Sequence, residues 1–488
     1  MGASAHPVPH PRQRADETFE PSGVPAGTPT EPEDPLAADP EPTTTTARRG
    51  PVPLLLAVAA CLPGAWLGLA ELFHLGHPEL APALLALIYG VAVIGAAFVL
   101  AWAAEAAQLD VSASLAIGML ALIAVLPEYA VGFVFAWKGG NDVAAHGAGC
   151  QAPGAEGASN CSLVLANMTG ANRLLIGIGW SLIVFIAYWQ WRRRGERHDG
   201  VTMDRSKAVE LAYLSLACAY CLTLPLKRTV TLLDAVILVS IFVAYTLRIS
   251  KAPQTHPDLI GPAAWIGAMS KAVRRAGVLA MFAFAGLVIL LVAEHFAEAL
   301  VGTGTELGVS QFLLVQWLAP LASEAPELLV VALYAWRLKT SEALTAVVSS
   351  KINQWTLLVG TLPVVFAVAS VSFHGLPVEA AQREEVLLTA AQTVFAVAIL
   401  VNLSISLREA LALFGLFWAQ FILGAVVPPS AKGVELLVLS GIYLLLGGWL
   451  LARKHGDFRH LLRDGFRTPY AELEPEAAAA AGRAQVTK

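Results

Sequence analysis

The chain has 488 residues, 56% of them hydrophobic and only 14% charged, with a formal net charge of −5. An ordinary soluble domain carries about 25% charged residues, so this chain cannot dress a water-facing surface of normal polarity, and lipid must be its main solvent. It contains no nucleotide-binding glycine-rich loop, Gly-x-Ser-x-Gly, His-Glu-x-x-His or paired membrane aspartates. That argues against an ATP-driven pump and an intramembrane enzyme, and neither a cofactor nor a nucleic-acid partner is expected.

Residues 1–50 are rich in Pro, Glu, Thr and Asp, with almost no large apolar side chains. Such a segment cannot bury enough apolar surface to offset its ordering entropy and reads as a disordered tail. No basic stretch followed by an apolar run and a small-residue cleavage site marks it as a signal peptide. A membrane-crossing helix needs roughly 20 mostly apolar residues. Twelve segments qualify: 53–76, 81–107, 112–138, 162–190, 208–225, 229–248, 274–300, 309–337, 342–371, 384–404, 407–427 and 433–452. Backbone groups in hydrocarbon must be satisfied within the segment, and barrel alternation is absent, so the expected fold is an all-α polytopic bundle.

Lys and Arg set the orientation. They cluster at Arg48–Arg49, Arg192–Arg197, Arg248–Lys251, Lys271–Arg275, Arg337–Lys339 and Arg453–Lys454, all on one side of a twelve-helix chain. That side, with both termini and a tail at 456–488, is expected to be the cytoplasm of a bacterial inner membrane. Lys227 and Arg228 fall on the other side and oppose the scheme. The basic run at 192–197 is expected to touch anionic membrane lipid. A long outer loop, 139–161, holds Cys150 and Cys161, which outside the membrane can be free or joined. Cys218 and Cys221 form a C-x-x-C inside an apolar run with no partner His or second pair, which favours packing over a closed metal site.

An internal repeat organises the rest. Segments 109–138 and 307–337 both open with L-x-V-S, both carry Pro-Glu (Pro127-Glu128 and Pro326-Glu327), and both follow with Val131 or Val330. Trp137-Lys138 and Trp336-Arg337 then lie at the same offset from the glutamate. The charge map runs the first copy outward and the second inward, an inverted repeat. The expected halves are 51–250, with a repeat at about 109–180, and 251–455, with a repeat at about 307–362. Proline within a helix frees a carbonyl four residues back. That oxygen and the neighbouring carboxylate are hard ligands for a sodium or calcium ion, or a proton. A carboxylate near the bilayer centre costs several kcal/mol and is a functional-site hypothesis by default.

These residues resemble the calcium/cation antiporter superfamily, whose sodium/calcium and cation/proton exchangers share two such repeats, over residues 80 to 430. The resemblance implies a core of five plus five helices, with one extra helix at each end, that works by alternating access. It assigns Glu128 and Glu327 to the central metal-cation and proton site and places Asn167, Asn172, Ser323 and Ser350 around it. The chain departs from the family pattern in four places. Ala124 and Val125 stand where hydroxyls are usual, Glu324 replaces another hydroxyl, and Lys351 takes the place of an Asn. Oxygen ligands are lost and a fixed positive charge is gained beside Glu327, as a partner for an ion pair or an occupant of a cation position. This fits cation/proton exchange better than a full set of sodium and calcium sites. A sodium/calcium exchanger, and a non-transporting sensor or scaffold that keeps the fold, are the alternatives. Glu105, Glu294 and Glu298 are candidates for a cation access path, the last two sharing a helix face at i, i+4.

Overall fold

The computed structural model describes residues 51–75, 80–110, 126–147, 150–151, 157–252, 259, 261–308 and 310–474. The tail at 1–50, the first-repeat positions Ala124 and Val125, and the end of the chain past 474 lie outside the described residues. The long helices are α1 (Pro51–Leu72), α2 (Pro82–Ala107), α3 (Leu126–His146), α4 (Asn160–Arg193), α5 (Ala208–Cys221) and α6 (Leu232–Ile249). They continue as α7 (Lys271–Leu307), α8 (Gln311–Trp336), α9 (Thr340–Ser370), α10 (Ala380–Leu400), α11 (Leu407–Val426) and α12 (Lys432–Arg453). Each of the twelve expected segments therefore coincides with helix, the third only over its described half.

Nine of these helices are long and apolar enough to cross a membrane, and the bent α8 makes ten. The shortfall from twelve has a physical reason at α10. Every 18-residue stretch of it includes Arg383, Glu384 and Glu385, too many charges for a lipid-facing span. Its residues from Leu388 onward are almost all buried, so it is a core helix sheathed by protein. At α3 the residues before Leu126 are outside the description.

Two further features bear out the inverted repeat. Within α4 the α-helical hydrogen bonding widens to a π turn at Leu175–Trp180, and within α9 it does so at Gln354–Leu358. Two short antiparallel ribbons then tie the halves together. Gly200–Thr202, after α4, pairs with Ser404–Ser406 between α10 and α11. Leu376–Pro377, after α9, pairs with Thr229–Val230 between α5 and α6. The two ribbons exchange the roles of the halves, as a pseudo-two-fold in the membrane plane requires. The flanking helices α1 and α12 pack outside this arrangement, on α2 and α7 and on α10.

Cys150 and Cys161 form a disulfide, while Cys218 and Cys221 are free and buried among apolar neighbours, as the packing reading expected. Lys227, which opposed the charge scheme, is paired with Asp234 in the capping box that starts α6.

Past the bundle, within the segment read as a tail, the chain forms another helix, α13 (His455–Phe466). Its apolar face, with buried Leu461, lies on α5. Gly465 permits the approach: a Cβ there would stand 2.3 Å from the Ala212 Cβ. Arg205 clasps the helix by donating two hydrogen bonds, of 2.8 and 3.2 Å, to Asp464. Those bonds hold the Asp464 carboxyl below its ordinary value. A depressed carboxylate stabilises the fold above its unfolded pKa of about 3.9 and loses that contribution as pH falls through the lower folded value. Docking of α13 is therefore expected to be constant from pH 5 to 8. Asp464→Asn is expected to raise amide hydrogen exchange across 455–466 at every pH in that window; unchanged exchange would show that the clasp holds nothing.

Candidate functional site

The centre of the bundle is built from the two Pro-Glu helices and the two π-turn helices. Glu128 stands near the start of the described part of α3, directly after Pro127. On the opposite repeat, α8 bends by 54° between Phe312–Ala325 and Glu327–Trp336, so the break falls at Pro326-Glu327. That bend carries Glu324 and Glu327 inward, next to each other.

The two repeats meet through one amide. Gln354, fully buried at the start of the π turn in α9, donates from Nε2 to Glu324 Oε1 at 2.8 Å and to Glu128 Oε2 at 3.2 Å. Glu128 and Glu324 are 1% and 4% exposed, so both carboxylates have left water. Glu327 keeps partial exposure, lies beside Glu324 and Ser350, and is within electrostatic reach of Glu128. The pair expected from sequence, Glu128 with Glu327, is thus joined by Glu324 in the middle. Gln354 is not among the residues that the sequence motifs single out. Its spacing from Ser350, i to i+4 on one helix face, was the available signal.

The remaining expected residues divide. Asn167 donates to the Glu128 backbone carbonyl at 3.4 Å and so fixes α4 against α3 at the site. Asn172 turns back to the Met168 carbonyl at 2.9 Å. Ser323, buried, donates to the Pro320 carbonyl at 3.1 Å. Lys351 is fully buried. It makes no ion pair with Glu327; its Nζ donates to the Asn172 carbonyl at 2.5 Å and lies 5.4 Å from the Trp355 ring centroid. The reason is register. Lys351 precedes the π turn of its repeat by three residues, and so does Asn172 in the other repeat. The two positions face each other across the pseudo-two-fold, and the lysine caps a carbonyl there.

Glu294 and Glu298 are exposed and share Lys138 of α3, at 3.3 and 2.6 Å, while His295 meets Glu71 at 3.0 Å. These groups form a charged rim away from the buried cluster. Glu105 is half-buried in the last turn of α2.

Glu128 Oε1 and Glu324 Oε2 are buried and accept from no N–H or hydroxyl donor, and Glu324 lies within hydrogen-bond reach of both Glu128 and Glu327. Such lone pairs are what a hard cation or a proton takes up. Among the described residues no three His, Cys, Asp or Glu side chains are spaced to enclose a metal ion. The cluster is drawn together by Gln354 instead.

Behind the site, α4 and α8 touch backbone to backbone. A Cβ on Gly170 would fall 1.6 Å from the Gln316 carbonyl oxygen, and Gln316 Nε2 donates to Thr169 Oγ1 at 3.4 Å. Gly170→Ala is therefore expected to push the two helices apart and cost at least about 3 kcal/mol of stability, read as a large fall in folded yield and melting temperature. A variant with wild-type yield would show the contact to be soft.

Residues 80–251 and 277–425 match the sodium/calcium exchanger protein family. The chain belongs to that family. As a member it is a polytopic membrane protein with the exchanger fold. A crystal structure of an H+/Ca2+ exchanger, CAX, is 39% identical, covers 86% of this chain and 98% of its own, and superposes with a TM-score of 0.76. Native YfkE shares the fold at 16% identity, covering 80% of this chain and 99% of its own, with a TM-score of 0.51. A search of curated proteins found no match. The family match begins at 80 and ends at 425, which leaves α1 and α12 outside it, as the two added helices should be.

Proposed function

We propose that the chain is a secondary antiporter that exchanges a cation, calcium foremost, for protons by alternating access around Glu128, Glu324 and Glu327. The observation that carries this reading is the Gln354 amide joining carboxylates from both repeats. A group of carboxylates in apolar surroundings cannot hold its full negative charge without a partner. A divalent cation or protons can supply that partner, and the two compete for the same oxygens. Because Glu128 belongs to one half (51–250) and Glu324 to the other (251–455), rocking of the halves exposes the bound species to either side. The similarity to an H+/Ca2+ exchanger favours calcium over sodium as the exported ion. Lys351 is held on the Asn172 backbone carbonyl and makes no ion pair with the carboxylates, so it leaves their oxygens open to the transported species.

The positions of the basic loops favour both termini in the cytoplasm, and the Cys150–Cys161 disulfide fits a loop in an oxidising exterior. A bacterial inner membrane meets both conditions. The test is reconstitution in liposomes that hold a trapped pH dye, followed by addition of calcium, sodium, potassium or magnesium in turn. Calcium-driven proton movement is expected. Absence of flux under every gradient would leave the sensor or scaffold reading standing.

A further inference from the structure

Between α8, α11 and α12 a groove of about 440 Å³ opens sideways from the bundle. Its walls include Leu314, Trp317, Leu321, Phe417, Trp418 and Phe421. Leu318, Leu321, Trp418 and Phe421 are exposed along it, so on membrane-crossing helices the groove faces lipid. Helix positions fix its depth. The mouth lies at the turn between α11 and α12, where Gly424, Lys432 and Glu435 meet. The inner end lies at Ile178, in the π turn midway along α4. The groove thus runs from one membrane surface to mid-depth, the span of a single lipid leaflet.

Its polar groups are few and placed by depth. Arg173 is already engaged by Glu385 at 2.8 Å and lies 5.1 Å from the Trp317 ring centroid. At the mouth, Lys432 and Glu435 present opposite charges within the first turn of one helix, and Glu435 Oε1 has no hydrogen-bond partner. Between mouth and inner end sits Gln420, 4% exposed, with its Oε1 unpartnered. An ion path would not be walled with leucine and tryptophan. An apolar slot under a mixed-charge mouth fits an amphiphile with a zwitterionic head.

We propose that the groove holds one acyl chain of a phospholipid whose headgroup carries both a phosphate and a protonated amine. Lys432 takes the phosphate and Glu435 takes the ammonium, as a charge-assisted hydrogen bond. Gln420 lies at the depth of the ester linkages, where turning its amide presents the NH2 to an ester carbonyl. The apolar walls replace lipid contacts for the chain, and the headgroup charges choose the lipid.

The test uses delipidated full-length protein in mild detergent, titrated with phosphatidylethanolamine, phosphatidylcholine or phosphatidylglycerol and read by native mass spectrometry. One phosphatidylethanolamine is expected to bind in preference to the other two. The Lys432→Gln/Glu435→Gln pair should weaken it about tenfold or more while leaving the walls intact. Gly424→Leu should block it sterically, because an added Cβ there meets only Glu435 Oε1, at 3.9 Å, and the backbone need not move. Equal binding of the three lipids, preference for phosphatidylglycerol, or binding unchanged by both variants would overturn the proposal. So would cross-linking that shows a second copy of the chain seated on Phe421 and Leu318. The readout is binding, so it stands or falls separately from transport.

Discussion

Glu324→Gln is expected to cut calcium-driven proton movement in liposomes by at least about 100-fold, a barrier higher by roughly 2.7 kcal/mol, and Glu128→Gln is expected to do the same. Both substitutions keep the side-chain volume and a polar end, so the fold should survive, as melting temperature will show. Each removes one of the two carboxylates that the Gln354 amide holds together across the repeats. Either substitution breaks the one carboxylate pair that the amide holds across the two repeats, so a divalent ion loses ligand oxygens at the point where the halves meet. Glu327→Gln is expected to do less, raising the calcium concentration needed for half-maximal rate more than it lowers the maximum. Glu327 is partly exposed and is not bound by Gln354. Gln354→Leu separates the two readings of the amide. If it only fills space, the leucine keeps activity; if it sets the spacing of the carboxylates, activity falls while both glutamates are still present. Full activity of the Glu324 variant would return the central role to the pair named from sequence, Glu128 with Glu327.

That pair shows how far the sequence could be read. Apolar length gave the helices, because lipid forces every backbone group to bond within its own segment. Two Pro-Glu dipeptides at matched offsets, combined with the side on which arginines fall, gave an inverted repeat before any coordinates. The middle carboxylate was visible as a departure at Glu324, but its partner was not. Gln354 acts across 226 residues of chain, and nothing local distinguishes it from a buried polar residue that needs only its own helix. The π turns were equally hidden. A wider turn at Leu175–Trp180 or Gln354–Leu358 leaves no mark in hydrophobic periodicity, yet it rotates everything that follows and sets which residues face the site. Lys351 lies ahead of its π turn, opposite Asn172 at the matching position of the other repeat, and its ammonium bonds the Asn172 carbonyl rather than Glu327. Segment 384–404 read as a lipid-facing span because its later residues are apolar, but those residues are apolar because protein surrounds them. Composition reports burial without saying what does the burying.

Arg173 carries the second large prediction. Its side chain is 1% exposed and pairs at 2.8 Å with Glu385, itself 13% exposed, on a helix more than 200 positions away in the chain. A lone buried charge is far more costly than a buried pair, and removing one partner of such a pair costs about 3–5 kcal/mol. Replacing both by apolar residues of similar volume is often neutral or stabilising. Arg173→Met alone, and Glu385→Leu alone, are each expected to lower the melting temperature in detergent sharply, while the double variant recovers most of the loss. Additive single effects would mean that the two charges are satisfied separately and that the ion pair contributes no coupling. The transport readout of the double variant adds a further distinction. The pair fastens α4 to α10 two residues short of the π turn, close to where the repeats meet. If it only stabilises the bundle, the recovered variant transports at the wild-type rate. If it keeps the π turn of α4 in place while the halves rock, the double variant folds as well as the wild type and exchanges more slowly. A stable but slow protein would separate these two roles of one ion pair.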